Sequence, residues 1–170
     1  MPQNFTMRSK IILVLCLTIS ILPISCLKDG YQSFTCSASA PKITVPGSEL
    51  LEIESYLSKN NITDAVKSDK GFYYRIITPG TGVVPTLCSN VSVYYKGTFL
   101  NGTVFDQTTT SAATFQLGQL IAGWQLAIPL IKTGGKIILY LPPSLAYGAQ
   151  ANGSIPANSS LIFEITLVAA

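Results

Sequence analysis

The residues available for chemistry are unusual because the chain of 170 residues contains no histidine. Histidine is the commonest general base and metal ligand near neutral pH, so its absence excludes Ser-His-Asp and Cys-His catalytic sets. The acidic residues are too scattered for a glycosidase pair, and no glycine-rich phosphate loop precedes a helix. Four scattered cysteines without a CxxC motif do not indicate a zinc site. The remaining candidates are aromatic and aliphatic residues of the second half, and we expect neither a metal nor another cofactor.

The elements that carry these residues are mostly short strands separated by turns. Residues 91–96 alternate between apolar and polar side chains, which is the period of a half-buried strand. Asn101-Gly102 lies between two strand-like runs and predicts a tight hairpin, because both turn residues need positive φ. An apolar stretch from Leu120 to Ile128 has helical spacing and contains Trp124. The pattern predicts an α+β fold with about five antiparallel strands and one short internal helix.

The N-terminal 25 residues have the parts of a secretory signal. Arg8 and Lys10 precede an apolar stretch that is shorter than the roughly 20 residues needed to span a bilayer. The stretch ends in Ile24-Ser25-Cys26, which resembles a lipobox, the site where a bacterial lipoprotein is cleaved and acylated on cysteine. We therefore predict a signal peptide over 1–25, lipidation of Cys26 and a membrane-anchored place in the cell envelope, at the periplasm or outer membrane. Plain secretion and an uncleaved anchor are the alternatives.

Two further segments separate this anchor from the strands. Residues 26–47 have no sustained period and contain Pro, Gly, Ser and Thr, which predicts a flexible tether. Ser48 then fits the N-cap of a helix, and an apolar stripe runs from Leu50 to Leu57 at spacings of three and four. A short N-terminal helix is therefore predicted within 48–66. It could pack on the following domain or, alternatively, mediate dimerisation.

Charge and cysteine content bear on partners and on cross-linking. Without residues 1–25 the chain keeps 9 cations and 8 acids, a net charge of +1. No basic patch remains, so we expect no nucleic-acid partner. Cys36 and Cys88 remain outside the signal and the lipidation site. In an oxidising compartment they could form a disulfide, or they are two unrelated thiols.

Several runs of the second half resemble FKBP-type prolyl isomerases in their order and close to their spacing. The runs are Val93-Tyr94-Tyr95-Lys96-Gly97, Asn101-Gly102-Thr103-Val104-Phe105-Asp106, Phe115-Gln116-Leu117-Gly118, Leu120-Ile121-Ala122-Gly123-Trp124 and Leu145-Ala146-Tyr147-Gly148, and Ile155-Pro156 and Leu161-Ile162-Phe163-Glu164 complete the pattern. Any single run is weak, but together, in order, they are a strong signal over about residues 71–170. The tether and the preceding helix also resemble lipoprotein members of this family from Bacteroidetes-like bacteria.

The resemblance implies an isomerase domain over residues 67–170, in which a twisted antiparallel sheet wraps around one short helix and leaves an apolar pocket between them. It implies that Trp124 forms the pocket floor beneath a substrate proline. The Tyr147 hydroxyl and the Ile121 N–H would bind substrate carbonyls, and Asp106 would orient polar groups at the rim. The further residues implied to contact the substrate are Tyr95, Phe105, Phe115, Leu120, Ile155 and Phe163.

Prolyl isomerisation is compatible with a site that lacks histidine. An X-Pro bond rotates over a barrier of roughly 18–20 kcal/mol because resonance stiffens the amide. A pocket that removes water and fits the twisted amide favours the transition state, and no proton leaves the substrate. The resemblance therefore implies an isomerase acting on proline-containing polypeptides of the cell envelope, with macrolide inhibitors as further ligands. The alternative is a membrane-tethered chaperone or scaffold that binds proline segments with little turnover.

Overall fold

The computed structural model describes residues 36–170, so the predicted signal sequence and Cys26 lie outside the described residues. The helices are α1 (Gly47–Lys59) and α2 (Ala122–Ala127). The strands are β1 (Val66–Lys67), β2 (Tyr73–Thr78), β3 (Asn90–Phe99), β4 (Val104–Gln107), β5 (Ala113–Gln116), β6 (Lys136–Leu141) and β7 (Leu161–Ala169). The predicted α+β class is confirmed. Across residues 36–170, no helix is both long and apolar enough to cross a membrane.

The strands form one antiparallel sheet in the order β1-β2-β6-β7-β3-β4, and β5 also pairs with β3. The sheet has seven strands rather than about five, and β1, which spans only two residues, is too short to show a period in the sequence. Strand β3 pairs with β4, β5 and β7. It therefore brings residues that are far apart in the chain to one part of the sheet.

The inner face of the sheet packs against α2 and forms the main core. Along β6, Ile137 and Leu139 face this core, whereas Ile138 and Tyr140 belong to a second cluster on the opposite face. Helix α2 lies so close to the sheet that a Cβ on Gly123 would overlap the side chain of Leu141. The short helix is thus in close contact with the sheet at the residue just before Trp124.

Helix α1 covers part of the outer face. Its buried residues Ile53 and Leu57 pack with Tyr140 and Ile162. This confirms the prediction that the apolar stripe packs on the domain, and the stripe is therefore buried within its own chain. The helix is also fastened by polar contacts, because the Glu49 carboxylate accepts hydrogen bonds from the backbone N–H and the hydroxyl of Ser144 at 2.9 and 2.8 Å.

The predicted start of α1 at a Ser48 cap is wrong. The helix begins at Gly47, and Pro46 occupies the N-cap position without a side-chain cap. The carbonyl of Pro46 accepts the N–H of Glu49 at 3.1 Å. Pro46 has a φ of -61° and an extended ψ of 136°, so the chain enters the helix directly after it and Ser48 falls within the first turn. The helix ends at Lys59, inside the predicted segment of residues 48–66.

The predicted flexible tether is also wrong for its described part, residues 36–46. Cys36 forms a disulfide with Cys88, which decides between the two alternatives for these cysteines. Val45 packs against the main core. Its side chain also lies so close to Gly71 that a Cβ added to Gly71 would be only 2.7 Å from it. The disulfide and the packing of Val45 hold this segment, and neither contact leaves a regular period in the sequence. We call residues 36–46 the strap.

Candidate active site

An apolar cavity of about 150 Å³ lies between α2 and the inner face of the sheet. Its lining residues are Tyr95, Phe105, Asp106, Phe115, Leu120, Ile121, Trp124, Tyr147 and Phe163. The sequence analysis singled out every one of them. A wider depression of about 460 Å³ lies between α1 and the β3–β4 turn, but most of its lining residues carry hydroxyl, amide or carboxylate groups, so it does not enclose an apolar ring.

Trp124 is the central residue of the cavity wall and is only 4% exposed. Its ring stands nearly perpendicular to those of Tyr95 and Phe163, with centroids 5.4 and 5.3 Å away. Phe115 approaches in the same manner at 6.4 Å. Such edge-to-face contacts are favoured by the aromatic quadrupole. The indole N–H has no hydrogen-bond partner within residues 36–170, so packing alone holds this ring in place.

Phe105 forms another wall of the cavity, and its position depends on the absence of a side chain at Gly97. In the sheet, Gly97 stands opposite both Asp106 on β4 and Phe163 on β7. The Phe105 ring covers Gly97, and a Cβ there would be 2.5 Å from the ring. The sequence analysis did not identify Gly97 as a site residue, although a glycine within a strand pattern indicates a close approach of another group.

The polar groups of the cavity are two tyrosine hydroxyls and one carboxylate. The Tyr95 hydroxyl donates to the Asp106 carboxylate at 2.6 Å. Burial raises the pKa of Tyr95 to about 12, and the hydrogen bond to Asp106 adds to the effect. Burial likewise raises the pKa of Tyr147, with a further contribution from the Asp106 charge. Both hydroxyls therefore stay protonated at physiological pH and act as hydrogen-bond donors.

Tyr147 is the hydroxyl that remains available to a ligand. Its pKa is raised by burial and by the Asp106 charge, and its hydroxyl makes no hydrogen bond to another group within residues 36–170. The residue lies just after the short 3-10 turn Pro143–Leu145 and lines the cavity. Asp106 is the one carboxylate in the lining, and within residues 36–170 no three His, Cys, Asp or Glu side chains come together as a metal site.

The entry into α2 is fixed by side-chain and backbone bonds. The carbonyl of Ile121 accepts the N–H groups of Trp124 and Gln125 at 3.0 and 3.2 Å. The Gln125 amide donates to the Leu120 carbonyl at 2.7 Å. These bonds hold Leu120 and Ile121 at the cavity, and the role of Gln125 was not recognised from the sequence. A side-chain amide that bonds five residues back leaves no periodic signal.

Thr108 is a second residue that the sequence analysis missed. Its N–H donates to the Tyr95 carbonyl at 3.0 Å, and its hydroxyl donates to the same carbonyl at 3.2 Å. The Tyr95 N–H in turn donates to the Thr108 hydroxyl oxygen at 3.0 Å. Thr108 therefore clamps the backbone of the residue that holds Asp106.

Ile155 does not line the cavity, contrary to the role that the resemblance implied. Its side chain is 6% exposed and packs in the main core. The N–H and carbonyl of Ile155 both bond to Asn152 at 2.9 Å, so the loop closes on itself. This tight turn directs Ile155 inward rather than over the cavity mouth.

Comparison with known proteins agrees with this geometry. The family model for FKBP-type peptidyl-prolyl cis-trans isomerase matches residues 83–168. The chain therefore belongs to the FKBP-type peptidyl-prolyl cis-trans isomerase family. It is 41% identical over 119 residues to the FKBP-type peptidyl-prolyl cis-trans isomerase FkpA of Aeromonas hydrophila, covering 68% of this chain and 44% of that one.

Two further relatives extend the comparison. The outer membrane protein MIP of Legionella longbeachae is 40% identical over 119 residues, covering 68% of this chain and 51% of that protein. The crystal structure of FkpA from Escherichia coli superposes with a TM-score of 0.66 at 34% identity, over 72% of this chain and 59% of that chain. The chain thus spans about half the length of the curated relatives it matches.

Proposed function

We propose that this chain is a prolyl isomerase that accelerates rotation about X-Pro bonds in polypeptides of the cell envelope. The observation that carries the proposal is the apolar cavity lined by Trp124 and other aromatic rings, with the free Tyr147 hydroxyl donor among its lining groups. At about 150 Å³ the cavity is smaller than the roughly 300 Å³ at which sites for drug-sized ligands begin. It suits one small ring, such as the pyrrolidine of proline or a single ring of a macrolide inhibitor.

The chemistry follows from what the cavity does to an amide. Water stabilises the planar amide through its carbonyl oxygen, and the aromatic walls remove that water. The Tyr147 hydroxyl and the Ile121 N–H would then hold the neighbouring substrate carbonyls, while the Tyr95 bond fixes the Asp106 carboxylate. Lowering the rotational barrier by about 8 kcal/mol corresponds to nearly a millionfold acceleration. The site needs no proton transfer for this.

Tyr147→Phe is expected to lower kcat/KM for a short proline peptide by roughly tenfold while leaving the free energy of unfolding nearly unchanged, because it removes one hydrogen bond from the bound state. The measurement is a peptide isomerisation assay beside urea unfolding, with Asp106→Leu as a second variant. Full activity of Tyr147→Phe would show that its hydroxyl does not contact the substrate. If the wild type and both variants bind the peptide equally well but none of them isomerises it, the binding-module alternative is favoured.

Thr108→Val should lower kcat/KM by about fivefold, the equivalent of about 1 kcal/mol, because Tyr95 loses its side-chain clamp. Thr108→Ser keeps the hydroxyl and should restore activity. Thr114→Val is the matched control. It deletes a threonine hydroxyl that bonds Ser92 at 2.8 Å, and Ser92 lies on β3, the strand that also carries Tyr95. Equal losses in Thr108→Val and Thr114→Val would indicate a general effect on β3 instead of a specific effect on Tyr95.

We further propose that a lipid on Cys26 anchors the domain to a membrane of the envelope. The proposal is supported by the lipobox-like end of the apolar N-terminal stretch, and one relative is named an outer membrane protein. Two or three acyl chains anchor a protein firmly, whereas one is marginal. Cys26→Ser should release the protein into the soluble fraction. Retention of that variant in the membrane fraction would indicate an uncleaved apolar anchor.

A further inference from the structure

Two loops at one end of the sheet form an exposed apolar surface around one cation. Residues 79–89 precede β3 and residues 128–135 precede β6. Both strands pair antiparallel with β7, so they run in the same direction and start at the same end of the sheet. The Thr133 N–H donates to the Val83 carbonyl at 2.9 Å, which holds the two loops side by side. We call their exposed large apolar side chains and their one cation the basal patch, which consists of Val83, Val84, Leu130 and Lys132.

The basal patch lacks acidic groups. Residues 79–89 and 128–135 contain no Asp or Glu, and Lys132 is their one charged residue. Within residues 36–170 Lys132 makes no salt bridge, whereas Lys136 pairs with Glu164 at 3.3 Å. Exposed apolar side chains beside a cation without an ion pair suit a surface that is apolar inside and anionic at its boundary. A bilayer that contains anionic lipids is such a surface.

The disulfide brings the proposed lipid anchor close to this patch. Cys88 follows Val84 closely in the chain, so their Cα atoms are at most roughly 14 Å apart. The Cα of Cys36 lies 5.7 Å from that of Cys88. The chain from Cys26 to Cys36 reaches at most roughly 36 Å, whatever its conformation. Without the disulfide, the chain would first be held where Val45 packs against the main core, and the reach from Cys26 would grow to roughly 68 Å.

The shorter reach restricts how the domain is oriented on a membrane. A domain of the length of residues 36–170 has a radius of gyration of about 14 Å, which corresponds to a sphere about 37 Å across. If the side opposite Cys36 faced the bilayer, the chain would have to pass around this sphere, a path of about 47 Å. A reach of roughly 36 Å is too short for that path, whereas roughly 68 Å is long enough. The disulfide therefore excludes this orientation and leaves the basal patch on the side that can meet the bilayer.

We infer that the basal patch lies on the surface of the bilayer that holds the proposed anchor, and that the Cys36–Cys88 disulfide favours this orientation by shortening the chain to Cys26. The inference rests on the proposed lipid anchor and adds how the domain is oriented on it. A few apolar side chains and one cation bind a bilayer weakly, but the anchor makes the contact intramolecular, so weak binding is enough. No residue that lines the cavity belongs to the basal patch, so this contact uses no group of the candidate active site.

The test places a tryptophan on the surface of the full-length, membrane-bound chain. Val83→Trp introduces it on the basal patch and Leu51→Trp on α1, and both native side chains are 64% exposed, so the two variants are a matched pair. Leu51 lies near the other end of β6, because Glu49 on the same helix turn bonds Ser144 just after that strand. Trp124 is the only native tryptophan and is buried, so the wild type gives the background.

The proteins are reconstituted into vesicles of phosphatidylethanolamine and phosphatidylglycerol whose acyl chains carry bromine, which quenches a tryptophan in contact with the bilayer. Val83→Trp should lose at least about half of its added fluorescence, and Leu51→Trp about a tenth or less. Changing Cys36 and Cys88 to serine in the Val83→Trp protein should reduce the quenching at least about twofold, because the longer reach allows other orientations.

Charge reversal shows whether the cation contributes to the contact. In the Val83→Trp protein, Lys132→Glu should reduce the quenching about twofold or more in vesicles with phosphatidylglycerol, but not in vesicles of phosphatidylcholine alone. Lys59→Glu, which reverses an exposed cation in the last turn of α1, is the control and should leave the quenching unchanged.

Equal quenching of Val83→Trp and Leu51→Trp, or no quenching of either, would overturn the inference. A double serine variant that is folded in urea unfolding but is quenched like its disulfide-bonded parent would overturn the role of the disulfide. Mass spectrometry of the N-terminal peptide tests the anchor separately. A chain that has no acyl group on Cys26 but still binds vesicles through its apolar N-terminal stretch would remove the proposed lipidation, and the matched tryptophan pair would still decide the orientation.

Discussion

Replacing Trp124 with alanine is expected to lower the free energy of unfolding by about 3–5 kcal/mol and to abolish most of the proposed isomerase activity. The ring is 4% exposed and contacts three other aromatic rings edge to face, so its removal leaves a large void in the main core. The same void removes the floor against which the substrate proline would rest. Urea unfolding and a peptide isomerisation assay on the folded fraction measure the two effects separately.

Trp124→Phe is the appropriate control because it keeps an aromatic ring and most of the packing. It should recover a large part of the stability and show an intermediate activity. A Trp124→Ala protein that unfolds earlier but, while folded, isomerises the peptide at the wild-type rate would place the site elsewhere on the molecule. Such a result would separate a structural role of this ring from the proposed role in substrate binding.

Removing the disulfide, by changing Cys36 and Cys88 to serine together, should cost about 4 kcal/mol of stability. The bond joins residues 52 apart in the chain, and the closed loop contains α1, β1 and β2. Cross-linking a loop of this length restricts the unfolded chain, which is the main source of the expected effect. Reducing agent should lower the stability of the wild type to that of the variant and leave the variant unchanged.

The activity of the folded double variant should stay close to that of the wild type. The segment around Cys88 is also held by backbone bonds, because the Leu117 N–H donates to the Ser89 carbonyl and the Gly118 N–H to the Leu87 carbonyl, each at 2.9 Å. These bonds fix the chain just before the lining residue Leu120 without help from the disulfide. Equal stability of the wild type with and without reductant would show that the disulfide contributes nothing to stability.

The residues that line the cavity could be predicted because they lie in sequence motifs that occur in the same order as in FKBP-type isomerases. Phe105, Phe115 and Phe163 lie on the three strands that pair with β3, which carries Tyr95, and α2 adds the ring of Trp124. The hairpin at Asn101-Gly102 forms with the expected positive φ at Gly102, but the positive φ predicted for Asn101 is wrong.

The residues that escaped prediction act through backbone geometry. Thr108 bonds the main chain of Tyr95 across a strand pair, and no periodic pattern marks such a contact. Ile155 turns inward because Asn152 closes its loop, which the motif alone could not indicate. The strap depends on a partner for Cys36 that lies 52 residues away, and cysteine spacing does not reveal connectivity.

The central claim is that the cavity catalyses prolyl isomerisation, and the most direct measurement is the isomerisation rate of a Leu-Pro peptide as a function of protein concentration. The protein used should contain residues 36–170, so that Cys36 can pair with Cys88. Peptide binding is measured in parallel by the fluorescence of Trp124. We predict a rate that rises linearly with protein and falls with Tyr147→Phe. A folded, disulfide-bonded protein that binds the peptide without accelerating its isomerisation would contradict the claim.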